Sequence, residues 1–190
     1  MIEQKQSEPI APCWPLAIAL AVLSGVLRVL PIGTLPANFA AMGALSLYAG
    51  ARLPARVGWV LPLAVMVVSD AYLAQARSYA ADPFVYGCFL VTVLMGLLLR
   101  RTNSPWKIGA GAIASDLLFF LVTNFAAWRQ LIGDRYENSL TGLGESYLAA
   151  LAFHRWTVLS SLIFVPLFFG AHALIVGRTA RREATVSPDR

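Results

Sequence analysis

A serine followed by an aspartate occurs twice inside apolar runs of this chain. One is Ser69-Asp70 in LPLAVMVVSDAYL (61–73), and the other is Ser115-Asp116 near the middle of the run 108–128. A carboxylate in such a run is costly in a lipid environment, so it faces a bundle interior, a partner charge or a watery cavity. Arg28 ends an earlier apolar run and can pair with Asp70, fixing one segment to another. Asp116 is either a hydrogen-bond acceptor for a neighbouring helix or part of the floor of a cavity. Further reactive or polar groups recur near the ends of the apolar runs: Asn38, Tyr86, Cys88, Asn124, Trp128, Tyr147, His154 and Arg155. They offer amide and carboxylate hydrogen bonds, guanidinium groups for anions, aromatic faces, one thiol and one imidazole. HExxH, GxSxG, P-loop and CxxC motifs are all missing, and His154 and His172 lack the spacing of a metal site.

The elements that place these groups follow from composition. Of 190 residues, 58% are hydrophobic and 13% charged, and mean hydropathy is +0.65. That is an all-α integral membrane composition, against about a quarter charged residues in soluble domains. The net charge of +5 lies in short arginine clusters between apolar runs, which fits membrane orientation and not nucleic acid. Two cysteines, Cys13 and Cys88, make no disulfide framework.

Six membrane spans are expected, about 14–30, 37–51, 57–73, 84–99, 108–128 and 156–176, in one domain over 1–177 with a disordered basic cytoplasmic tail at 178–190. The first is read as a retained span and not a removed signal peptide. With the N-terminus inside, Lys5, Arg52, Arg56, Arg100, Arg101, Lys107, Arg178, Arg181, Arg182 and Arg190 are inner, and Arg77, Arg129, Arg135 and Arg155 are outer. This excess places both termini in the cytoplasm. Between the last two spans, Leu140, Leu143, Tyr147 and Leu151 recur at helical steps, so 138–153 reads as a short amphipathic outer helix, either lying on headgroups or closing a cavity.

In this arrangement Arg28, Asn38, Asp70, Tyr86, Cys88, Asn124, Trp128, Tyr147, His154 and Arg155 share one outer layer, which suggests an outward vestibule. Each has a plainer reading: an Arg28–Asp70 clamp, interfacial aromatics, a packed thiol, an anchoring His154-Arg155 pair. Ala17, Ala21 and Gly25 recur at four-residue steps on the first helix, a spacing that admits close helix contacts and can face another subunit.

The segments NFAAMGALSLYAG, LPLAVMVVSDAYL, VYGCF, LLFFLVTNFAAW and GLGESYLAALAFHR, with the first-helix Ala-x-x-x-Ala stripe, resemble the substrate-binding S-components of energy-coupling-factor vitamin transporters. Over residues 14–176 the pattern is nearest to the solitary cobalamin uptake proteins of the BtuM type. The resemblance implies a bacterial inner-membrane protein that binds a vitamin in an outward pocket, with cobalamin as the transported ligand and no intrinsic cofactor. Transport would proceed by toppling of the whole bundle, gated by 31–37, 77–83 and 138–153. It implies either an energy-coupling membrane subunit with ATPases, docked through Ala17 and Ala21, or solitary action. It also implies Cys88 as a cobalt ligand that removes the upper ligand of the corrin, with His154 as the second choice. The amides and carboxylates of the layer would meet a corrin rim, whereas Tyr86, Trp128 and Tyr147 would suit a flavin or deazapurine. A corrin-modifying membrane enzyme and an assembly protein are the alternatives.

Overall fold

The computed structural model describes residues 11–186 apart from Ile32, Ala37 and Tyr79. Six helices follow one another: α1 Trp14–Val29, α2 Met42–Arg52, α3 Ala55–Arg77, α4 Pro83–Leu98, α5 Pro105–Gln130 and α6 Leu140–Val186. No strand occurs among the described residues. Proline sits in the first turn of α1, α4 and α5, where its missing N–H forfeits no helical bond. The Asp82 carboxylate caps α4 by accepting from the Phe84 N–H at 2.8 Å.

Everything packs around α2. All of its 11 residues except Gly43 are buried, and it touches each of the other five helices. At about 1.5 Å per residue it is about 16 Å long, near half the thickness of a bilayer core. Its partners reach its backbone directly. A Cβ at Gly50 would collide with the Val93 carbonyl of α4, and one at Gly96 with the Leu47 carbonyl of α2. On the α3 side, a Cβ at Gly58 would lie 2.9 Å from the Ala49 carbonyl oxygen.

The C-terminal end of α2 is tied by an exchange of arginines. Arg100 donates to Gly50 O at 3.0 Å and to Leu53 O at 2.6 Å. Arg52, 4% exposed, donates back across the α4–α5 turn to Thr102 O at 2.9 Å and Asn103 Oδ1 at 3.2 Å, and lies over the Phe169 ring of α6. These guanidinium groups satisfy carbonyls that a helix end leaves open and face its negative pole. One turn earlier, Tyr48 Oη and His172 Nδ1 lie 2.9 Å apart and link α2 to α6.

By length and composition α3, α5 and the Leu140–Thr179 part of α6 can cross a membrane, while α1 and α4 are shorter apolar helices. Ile18, Val22 and Val26 on α1, Val67 and Val68 on α3, and Ile113, Leu117 and Leu121 on α5 project outward. An apolar exterior of this kind suits lipid and not water.

Three expectations change. The segment 138–153 is no separate outer helix: it runs straight into the last apolar run as the 47-residue α6. Between Gly144 and Pro166 no glycine or proline interrupts it, so nothing breaks the backbone ladder. The second helix begins at Met42 and not near residue 37, because Asn38 takes a left-handed φ of 66° that stops a helix. Ala37, its expected first residue, lies outside the described residues. The expected tail is helical to Val186, and only 187–190 lie outside the described residues.

The backbone contact of α2 with α4 is open to a direct check. Gly96→Ala is expected to destabilise the detergent-purified protein by about 2 kcal/mol, the usual penalty of overpacking a filled core. Gly109→Ala, where an added Cβ meets nothing within 4 Å, should be neutral or slightly stabilising. Thermal unfolding of the two variants beside wild type distinguishes them.

Candidate functional site

The N-terminal end of α2 stops inside the bundle, below a cavity of ≈ 890 Å3. Pockets of roughly 300–1,000 Å3 hold vitamin- and drug-sized molecules. The first bond of α2 runs from Leu45 N–H to Ala41 O, and Ala41 provides no side-chain cap. The first-turn amides therefore precede the helical ladder, and Met42 and Gly43 line the cavity. Its floor and walls come from Phe89 and Thr92 of α4, Ser115, Asp116 and Phe119 of α5, and Thr157, Ser160 and Ser161 of α6. Arg28 of α1, Leu73 and Arg77 of α3, and the stretch carrying Asn38 and Phe39 form the mouth.

Two aspartates stand apart by their sequence context, and the structure gives them different surroundings. Asp70 is 5% exposed. Arg28 donates to its Oδ1 from both Nε and Nη2, with the Nε contact at 3.2 Å. The Tyr86 hydroxyl donates to its Oδ2 at 2.8 Å. Asp70 thus clamps α1, α3 and α4 together and does not line the cavity; its partner Arg28 does. Asp116 lines the cavity at 9% exposure. Ser161 of α6 lines the same cavity. One carboxylate oxygen lies 4.0 Å from where a Gly43 Cβ would stand, which sets it beside the positive end of α2. Among the described residues the only ion pair is Arg28–Asp70.

The expected outer layer divides into several groups. Arg28 and Asn38 line the main cavity. Asn124 and His154, again with Asn38, line an adjoining hollow of ≈ 360 Å3 that shares Asn38, Val85, Phe119 and Thr157 with it. Trp128 and Tyr147 fasten α5 to the chain beyond it: Trp128 Nε1 donates to Glu137 O at 3.0 Å, and the Tyr147 hydroxyl to Leu121 O at 2.8 Å. Arg155 is exposed and lies over the Trp156 ring, apart from both hollows.

Cys88 is buried at the α4–α5 seam beside a shallow apolar hollow formed with Pro83, Phe84, Val91 and Leu118. Its sulfur does not line the main cavity, so no thiol stands ready there for a corrin cobalt. Ala17 and Ala21 also turn inward. They are 1% and 7% exposed and belong to the core, while Ile18, Val22 and Val26 form the outward stripe of α1. The small residues serve contacts within the bundle, and the expected partner face at Ala17, Ala21 and Gly25 is not presented outside.

Sequence reasoning left the hydroxyls of Thr92, Ser115, Thr157, Ser160 and Ser161 and the rings of Phe89 and Phe119 out of the site. The paired polar residues Ser115-Asp116 and Ser160-Ser161 inside apolar runs are the signal that marks this floor. The sequence marks Arg77 for orientation and as the first residue of the 77–83 segment expected to gate the vestibule. In the fold it donates to Val29 O at 2.9 Å and Leu30 O at 2.6 Å, capping the end of α1 at the cavity mouth.

The chain belongs to a family described as a family of unknown function (DUF6580), whose model matches residues 8–185. No curated protein and no solved structure matches it.

Breaking the Arg28 clamp should reveal its structural weight. Asp70→Ala leaves Arg28 facing a buried space. We expect a loss of about 3 kcal/mol, at the low end for a broken buried pair, because 15% of the Arg28 side chain stays accessible. Tyr86→Phe should cost about 1 kcal/mol. The double variant Arg28→Met with Asp70→Leu should recover most of the larger loss, read as the thermal midpoint in detergent.

Proposed function

We propose that this chain is a bacterial inner-membrane uptake protein of the S-component type that takes a vitamin-sized solute into the cavity above α2. The observation that carries the reading is the cavity itself, a partly open hollow at the end of a half-length helix in the middle of the bundle. Transporter sites recur where a helix stops near mid-membrane and turns its positive end towards the substrate. Both termini lie in the cytoplasm in this reading, by the excess of inner arginines and lysines, and the cavity opens outward. The stretch carrying Asn38 and Phe39 completes the crossing that α2 leaves unfinished.

Among the vitamins, the lining favours one with a flat aromatic ring, a flavin or a deazapurine, over cobalamin. Phe89 and Phe119 line the deep part and Phe39 stands nearer the mouth, and aromatic faces hold planar rings well. Cobalamin would need both hollows together, and the Cys88 sulfur stands away from either. Solitary action fits the inward turn of Ala17 and Ala21 better than docking on an energy-coupling subunit through that face.

Equilibrium dialysis of the detergent-purified chain against riboflavin, 7-deazaguanine and cyanocobalamin tests the reading. Saturable binding of one of them is expected, with the bound compound recovered chemically unchanged. Gly43→Phe, whose ring would enter the cavity, should abolish binding while leaving the thermal midpoint within a few degrees of wild type. Cys88→Ala should bind as wild type does. Binding untouched by Gly43→Phe would place the solute elsewhere and defeat the proposal.

A further inference from the structure

The deep end of the cavity holds one carboxylate, Asp116, with aromatic rings beside it. Phe89 and Phe119 stand with centroids 5.5 Å apart, and Phe39 lines the cavity nearer its mouth. Other polar groups at this depth are hydroxyls, several of them already committed. Ser115 donates to Gly111 O at 2.8 Å, Thr92 to Cys88 O at 3.0 Å and Ser160 to Thr157 O at 2.8 Å. These hydroxyls spend their protons on their own helices and turn only lone pairs towards the space. The deep end therefore offers these hydroxyls as acceptors, and its donors are the first-turn amides of α2 beside Asp116. Its two arginines are at the mouth, Arg28 on Asp70 and Arg77 on the α1 carbonyls.

A carboxylate accepts about four hydrogen bonds, two of them side by side. Ser161 lines the cavity with Asp116, and the positive end of α2 lies beside it. Neither supplies the parallel pair of donors that a carboxylate in an apolar surround binds best. A solute that did so would be held by charge-assisted bonds while its ring lay among the phenyl groups. Acidic groups are disfavoured here by like charge, and a ring without N–H would leave the carboxylate facing carbon.

We propose that Asp116 is the specificity-determining anchor of the cavity, and that the solute is a planar nitrogen heterocycle entering ring-first with an N–H edge turned to its carboxylate. The inference rests on the uptake reading above and names the chemistry of its substrate. Imide-type and aminopyrimidine-type edges share this chemistry, and riboflavin and 7-deazaguanine separate them.

The experiment compares each ring with its N-methylated counterpart, 3-methylriboflavin and 1-methyl-7-deazaguanine, on the wild-type chain and on Asp116→Asn. Equilibrium dialysis in detergent gives the affinities. The expected result is that one ring binds and that methylation of its N–H weakens it roughly tenfold or more, the scale of a lost bond to a charged group. Asp116→Asn should weaken the unmethylated ring to a similar degree. The ligand pair reads the same contact without altering the protein, so a misfolded variant does not spare the proposal. Equal binding of methylated and unmethylated rings, within about twofold, would overturn it while uptake stands. Binding of cyanocobalamin alone would do the same. No binding of any compound would overturn both the inference and the uptake reading.

Discussion

A helix shorter than every neighbour, and less than half the length of α3 and α5, is stable here because it is gripped along its backbone. Gly50 and Gly96 let α2 and α4 approach until no Cβ fits between them, and Gly58 does the same towards α3. In lipid, close packing and satisfied backbone groups replace the hydrophobic drive that holds soluble helices together. At its C-terminal end Arg100 and Arg52 trade donors for carbonyls across α2 and the α4–α5 turn. With that end fixed, the other must finish near the middle of the bundle. The cavity is the volume the shortened helix leaves vacant.

The charged side chains show how polar atoms are distributed around that vacancy. Arg77, Arg100 and Arg52 each finish a helix end, supplying donors where carbonyls are open. Asp70 is saturated by Arg28 and Tyr86. All of these are tethers, and their energies are already committed to the fold. Asp116 stands apart because it lines the cavity and, among the described residues, takes part in no ion pair. A polar group buried without full satisfaction is a liability to stability, so its presence calls for a partner that comes and goes.

Much of the helical order was legible because apolar run length and Pro punctuation are local signals. Pro83 and Pro105 mark the starts of α4 and α5, and the acid in Asp82 its cap. The Arg28–Asp70 pairing was legible too, since two opposite charges at one depth have few other fates. What escaped was set by geometry between helices. The depth at which α2 begins depends on a left-handed Asn38, a backbone choice that an apolar window does not register. The facing of Cys88 and of Ala17 depends on helix rotation, and one residue along a helix turns a side chain by about 100°. Cys88 thus lies on the α4–α5 seam and Ala17 on the core, which no run length could show. Asp116 was legible as a floor residue, but the hydroxyls around it were missed for the same reason, because serines and threonines inside apolar runs count as small residues until the helices that carry them are brought together.

The distribution of tethers bears on how a solute could pass. Under the proposed uptake, with the C-terminal end of α2 facing inward, release by local opening there would part the Arg100 and Arg52 contacts and the Tyr48–His172 link together. The Tyr48–His172 link is buried, where a donor parted from its acceptor finds no water to replace it, and the part-buried arginine contacts reinforce it. Opening at the outer end is easier to envisage. The cavity mouth is made of the irregular stretch around Gly33 and Asn38, both at positive φ, and its helices are joined there chiefly by the Arg28 clamp and by Arg77. The bundle is therefore stiff at one end and adjustable at the other. Under the proposed uptake, a stiff inner end disfavours a rocker that opens alternately on both sides. Reorientation of the whole bundle leaves every one of these bonds intact. Its cost falls instead on lipid contacts, which the apolar exterior of α1, α3 and α5 can remake at a new angle.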